Sequence, residues 1–172
     1  MLSAAVVPGL VFTSSFSAHA ATRQALPASH IAQWHGIVTY VVDGDTLYVR
    51  PAKGGKAVSV RIDGIDAPEI CQTGGVLALQ ALRQRVLWQQ VLVVAKGHDR
   101  YGRLVAGIYV GNIDQGAELV AAGRAWAFRF EVGRGPYAAL QRGAEDDKIG
   151  MFSAGQRPQT PAAFRKMHGS CY

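Results

Sequence analysis

Gly36-Ile37-Val38-Thr39-Tyr40-Val41-Val42, then Asp43-Gly44-Asp45, then Thr46-Leu47-Tyr48-Val49-Arg50 follow one another without interruption. β-Branched and aromatic residues fill the two flanks, and the Asp-Gly-Asp between them is turn chemistry, so the pattern is two strands joined by a tight reversal. Lys53-Gly54-Gly55-Lys56 forms the next turn, ahead of Val58-Ser59-Val60-Arg61-Ile62-Asp63. That last run alternates strictly, so Val58, Val60 and Ile62 share one face and Ser59, Arg61 and Asp63 the other. The three strands make a meander.

Outward from the meander, Leu79, Leu82 and Val86 recur at helical spacing and predict a helix over Val76–Gln89. Val91–Lys96 and Leu104–Val110 return to strand character on either side of the loop Gly97–Arg103. A second helix is expected over Asp114–Ala122, capped by Asp114 and ended by Gly123. Pro136 suits the first turn of a third, which runs to about Lys148 and closes at Gly150. Five strands with helices between and after them imply an α+β fold, a small barrel carrying three helices on one side.

The 172 residues suit a single domain. An apolar share of 49% with 17% charged excludes disorder or a coiled coil as the whole chain. Residues 1–20 carry no Lys, Arg, Asp or Glu, and Ala18-His19-Ala20 has the small-x-small pattern of a signal-peptidase site. Pro8-Gly9 and the serines leave too short and broken an apolar run for a membrane anchor. The expectation is a signal peptide over 1–20 and a secreted or periplasmic protein beginning at Ala21. No basic residue precedes the apolar run, as a start upstream of Met1 would explain. Residues 21–35 read as a linker, 36–153 as the domain and 154–172 as a loosely packed tail. Two cysteines exclude a four-thiolate zinc site. In an oxidising compartment Cys71 and Cys171 would pair, tying the tail beside residue 69; two free thiols are the alternative.

Charge is unevenly spread. Five of the twelve acids, Asp43, Asp45, Asp63, Asp66 and Glu69, fall within residues 43–69, while the chain as a whole carries a formal +6. An acidic spot in a basic field suits phosphodiester chemistry, because the spot can hold a divalent cation while the field draws in a polyanion. The plainer account is that Asp-Gly turns recruit aspartates for their backbone angles.

Val42-Asp43-Gly44-Asp45-Thr46, Val60-Arg61-Ile62-Asp63-Gly64-Ile65-Asp66-Ala67-Pro68-Glu69 and Tyr101-Gly102-Arg103 together resemble the staphylococcal nuclease (thermonuclease) family. The resemblance runs from about Gly36 to Phe152. It implies a five-stranded OB-type barrel with three helices, acting as a monomer on DNA, RNA or both and leaving 3′-phosphates. By the same resemblance Asp45, Asp66 and the Ala67 carbonyl would bind Ca²⁺, with Asp43 shaping the site behind them. Many relatives have Thr where this chain has Ala67, but a carbonyl ligand needs no particular side chain. Glu69 would activate the attacking water, and Arg61 and Arg103 would grip the phosphate, a task for which planar guanidinium forks suit better than lysine. A structural ion pair with a neighbouring acid would account for Arg61 without catalysis.

Trp126, Phe128 and Phe130 alternate in a region where the family stacks aromatics on a base, although its pair of tyrosines is missing here. Core packing of at least two of the three is the favoured reading. Lys53–Lys56 lacks phosphate-loop spacing, the histidines show no metal-ligand spacing, and Glu145-Asp146-Asp147 reads as a solvated helix face. His98-Asp99 reads as surface loop. Two rival readings stand beside the nuclease: a non-catalytic OB-type nucleic-acid-binding module, and a structural protein that retains the fold.

Overall fold

The computed structural model describes residues 32–128, 135–153 and 158–171. Strands β1 (Gln33–Val41), β2 (Thr46–Pro51) and β3 (Val58–Ile62) meander antiparallel, as the alternation predicts. After the short β4 (Ile65–Asp66) and helix α1 (Gly75–Val86), β5 (Gln90–His98) pairs with β1 and with β6 (Leu104–Val110). β6 then runs parallel to β3 and closes the ring β3-β2-β1-β5-β6. Five strands thus form the expected barrel, and closure leaves no open edge in that ring.

Register decides what faces inward. Leu47 lies opposite Val60 and both are fully buried, whereas Thr46 lies opposite Arg61 on the outer face. Val38, Val49, Ile62, Val91, Val93 and Ile108 complete the interior. The barrel therefore fills with branched aliphatics and displays its polar residues outside.

Helix α1 lays the expected Leu82 and Val86 onto this core, with Ala78 fully buried beside them and Leu79 only partly buried against it. It also ends three residues before the expected Gln89. Trp88 takes a left-handed conformation (φ 65°), its N–H donates to the Val38 carbonyl, and the Gln89 carbonyl accepts from Val38. Pairing with β1 outcompetes another helical turn. β1 itself begins at Gln33, inside the expected linker, because Gln33, Trp34 and His35 pair with Val94, Val93 and Leu92. Following β7 (Ile113–Asp114), α2 (Gln115–Ala121) starts where expected: the Asp114 carboxylate accepts from the N–H groups of Gly116 and Ala117. β8 (Trp126–Ala127) pairs with β4, and α3 (Ala138–Asp146) leads to a short 3₁₀ turn, Gly150–Phe152.

The segment expected to be a loose tail instead contains a fourth helix, α4 (Pro161–His168). The Thr160 hydroxyl accepts from the Ala163 N–H and Pro161 occupies the first turn, a start signal present in the sequence. Among the described residues no helix is long and apolar enough to cross a membrane. The expected signal peptide lies outside the described residues.

Gly75, the first residue of α1, has no room for a side chain, since a Cβ there would overlap the carbonyl of Glu69. In an exposed helix interior Ala would stabilise over Gly by roughly 1 kcal/mol. Here the obstacle is backbone, so Gly75→Ala is expected to destabilise by about 1–3 kcal/mol, as overpacking does. Urea denaturation of the variant beside the parent checks the sign.

Candidate active site

The reversal between β1 and β2 builds the first wall. Asp43 Oδ1 accepts from the N–H groups of Asp45 (3.0 Å) and Thr46 (2.8 Å), folding the loop around its own side chain. Gly44 is required by crowding: a Cβ would sit 2.6 Å from that of Ala78 and 2.7 Å from that of Ala67. Asp45 is consequently pressed inward. Its Oδ2 accepts from the Ala67 N–H (2.8 Å) and its Oδ1 from the Thr46 hydroxyl (3.0 Å).

Asp66 approaches from β4, where pairing with Trp126 fixes its backbone. Asp45 and Asp66 are 7% and 5% exposed, so two carboxylates share one low-dielectric corner. Arg61 rises between them from the outer face of β3. Its Nη1 pairs with the Asp45 carboxylate, and its Nη2 donates to Asp66 Oδ1 (2.9 Å) and the Ile65 carbonyl (3.2 Å). Burial, with Asp45 beside it, pushes the Asp43 carboxyl up to about 7. Burial also raises Asp66, against the pull of Arg61 and Arg165 and with the charge of Asp45 adding. The arrangement holds more negative charge than its setting tolerates comfortably.

Arg103 forms the opposite wall. Its Nε donates to Asp99 (2.7 Å) and its Nη1 to the Thr46 hydroxyl (3.2 Å), which itself donates to Asp45. Asp99 also accepts from the N–H groups of Tyr101 and Arg103. Burial works against the Asp99 carboxylate, but these hydrogen bonds outweigh it and hold the carboxyl below its usual range. Asp99, read in the sequence as surface loop, is the anchor of Arg103. Tyr101 stands exposed, with Arg100 and Arg103 at 4.8 and 5.5 Å from its ring centre.

A cleft of about 410 Å³ joins these walls, lined by Asp43, Asp45, Arg61, Ala67, Glu69 and Arg103, with Arg100, Tyr101 and Arg165 at its edges. Of the residues assigned to metal or phosphate by resemblance, Asp45, Ala67, Glu69, Arg61 and Arg103 lie on it, and Asp66 stands behind it, bonded to Arg61. Trp126 and Phe128 are not among its lining residues. Trp126 is 5% exposed and packs edge-on against Phe152 at 5.2 Å, in a small core with Ala144. Phe128 is 39% exposed, and Phe130 lies outside the described residues.

Residues 59–154 match the family model described as "Staphylococcal nuclease homologue". The chain belongs to the staphylococcal nuclease family. An "Uncharacterized endonuclease" of Haemophilus influenzae is 34% identical over 129 residues, spanning 75% of this chain and 71% of the relative. "Protein ParB" of Escherichia coli is 36% identical over 136 residues, with 71% and 74% covered. A "Micrococcal nuclease" of Shigella flexneri is 36% identical over 110 residues, with 58% and 61% covered.

Members of this family bind a hard cation through oxygen. Among the described residues no group of three or more His, Cys, Asp or Glu side chains is placed to hold a metal ion. The oxygen donors at hand are the Asp45 carboxylate and the Ala67 backbone on the cleft, and the Asp66 carboxylate behind them, linked to Asp45 through Arg61. Such a set, completed by water, fits Ca²⁺, and a cation would offset the burial that raises Asp43 and Asp66, to which the charge of Asp45 adds.

Sequence reasoning passed over Arg165 as well as Asp99. From α4, Arg165 reaches Glu69 Oε1 with Nη1 (2.6 Å) and Asp66 Oδ2 with Nη2 (3.2 Å). Cys71 and Cys171 are joined in the structure, with Cα atoms 5.8 Å apart across a separation of 100 residues. A cross-link over so long a loop stabilises by roughly 4–5 kcal/mol in the chain-entropy model, less where the native state is strained. Thiol titration of the unfolded, non-reduced protein should therefore find no reactive group. Reductant should lower the denaturant midpoint.

Proposed function

We propose that the protein is an exported, Ca²⁺-dependent nuclease that hydrolyses phosphodiester bonds of DNA, RNA or both and leaves 3′-phosphates. The observation that carries this reading is the cleft on which Asp45 and Glu69 face Arg61 and Arg103, with Asp66 bonded to Arg61 behind it, in a chain whose relatives include named nucleases.

A phosphodiester repels an anionic nucleophile, so the site must neutralise charge and align a water. Asp45, Asp66 and the Ala67 carbonyl would hold Ca²⁺, which would supply charge neutralisation and help orient the phosphate. Glu69 accepts a proton as the water oxygen bonds to phosphorus and the bond to the 5′ oxygen breaks, a contribution of roughly 10²–10⁴-fold. Arg61 and Arg103 face the charge that grows on the equatorial oxygens, each contributing on the order of a few kcal/mol. Arg103 comes preset for that role, since Asp99 and Thr46 fix its guanidinium before substrate arrives.

Arg61 has a second duty. It forms the ion pairs that a purely structural account requires, so removing it leaves the buried Asp45 without an ionic partner and Asp66 with Arg165 alone, at about 3 kcal/mol or more. Arg103 and Glu69 are the cleaner probes. Digestion is expected to stop with a Ca²⁺ chelator and to return with Ca²⁺, while Mg²⁺ substitutes poorly because it holds its waters. In single-turnover assays Arg103→Ala and Glu69→Gln should slow cleavage by roughly 10²-fold or more, while affinity for a long oligonucleotide falls modestly. Binding without cleavage at any Ca²⁺ concentration would install the binding-module reading instead. Export rests on Ala18-His19-Ala20. Mass spectrometry of the protein recovered outside the cytoplasm should find Ala21 at its N-terminus.

A further inference from the structure

We propose that Arg165 is a positioning residue for Glu69, and that the strap formed by Gln159, α4 and Cys171 exists to hold it there. The inference rests on the nuclease reading above and deepens it.

One guanidinium grips two acids of different duty. Its Nη1 lies 2.6 Å from Glu69 Oε1 and 3.3 Å from Asp66 Oδ1, while its Nη2 lies 3.2 Å from Asp66 Oδ2. The fork therefore sets the proton acceptor in a fixed relation to a carboxylate of the metal corner. A lysine could set its one nitrogen between the two acids, but it lacks the second nitrogen that holds Asp66 Oδ2 and the planar fork that fixes the angle between them. Arg165 is itself 41% exposed, but its partners are nearly enclosed, at 8% for Asp66 and 16% for Glu69. The contact is not one of two solvated chains meeting by chance.

Packing does not account for the position of α4. Within it Pro161 is buried and Phe164 half-buried, and the remainder is exposed. What fastens it are side-chain ties to the loop that carries Glu69. Before the helix, Gln72 Nε2 donates to the Gln159 carbonyl at 2.7 Å, while Gln72 Oε1 accepts from the Glu69 N–H at 3.2 Å. After the helix, Cys171 is bonded to Cys71 and its Sγ accepts from the Cys71 N–H. Two fasteners bracket Arg165 in sequence and converge on residues 69–72.

Turnover and Ca²⁺ affinity should then move apart. Arg165→Ala frees Glu69 and removes a cation from beside Asp66. Expected are a fall in kcat of about 10–100-fold, as for other supports of a metal site, a KM within a few-fold, and Ca²⁺ binding as tight as in the parent or several-fold tighter by calorimetry with the metal alone. Arg165→Lys restores the charge without the fork, so it should return the parental Ca²⁺ affinity and not the parental kcat. Replacing Cys71 and Cys171 by Ser should slow turnover similarly, and adding Arg165→Ala to that variant should cost little more. Parental kcat in Arg165→Ala overturns the inference. So does joint loss of kcat, Ca²⁺ affinity and melting temperature, which marks a merely structural contact. A parent protein that cuts nothing in Ca²⁺ overturns the nuclease reading itself, before any variant is compared.

Discussion

The guanidinium of Arg61 between Asp45 and Asp66 is the interaction on which the rest of the molecule depends. Two carboxylates almost out of water would each cost several kcal/mol if left alone. Together they would repel, and burial keeps Asp66 and Asp43 raised even with the arginine present, the charge of Asp45 adding to it. The arginine must therefore arrive on the outer face of the barrel opposite Thr46, which ties the site to strand register. A slip of β3 by one residue would bury Arg61 in the barrel and expose Ile62. The filled interior, with Leu47 against Val60, is thus what aims the charge outside.

Local chemistry made much of this legible from the sequence. Alternation in Val58–Asp63 separated Arg61 from the core, Asp-Gly-Asp marked the reversal, and Asp114 marked a helix start. Each depends on neighbours within a few positions, so the residues carry the signal themselves. The three motifs in order pointed to the site, because Asp45, Ala67, Glu69, Arg61 and Arg103 line one cleft and Asp66 is bonded to Arg61 behind it.

What stayed illegible is what the barrel brings together from afar. Arg165 meets Glu69 across 96 residues and Asp66 across 99. Nothing local distinguishes it from a solvated arginine on a polar helix. Asp99 was hidden differently: its role exists only once the loop folds its carboxylate under Arg103. Trp88 reads as helix until β1 offers its backbone better partners. Trp126 and Phe128 share an alternation, yet β8 ends at Ala127, so one is buried and the other half out in solvent. Periodicity fails where the element is too short to sustain it.

The balance of charge in the cleft carries a consequence for how a polyanion reaches it. The chain is basic as a whole, at a formal +6, and that field draws a phosphate backbone from a distance. At close range the same backbone meets Asp43, Asp45, Asp66 and Glu69, which unpaired would turn it away. Arg61 and Arg165 stand among these acids, paired with Asp45 and Glu69 and sharing Asp66, while Arg103 beside them is held by Asp99. Pairing brings the cleft near neutrality while leaving every charged group in place for chemistry, and a divalent cation added at Asp45 and Asp66 tips it positive. Attraction at long range and acidity at short range are thereby compatible in one site, because the arginines that would stabilise the reacting phosphate also mask the carboxylates that would repel it.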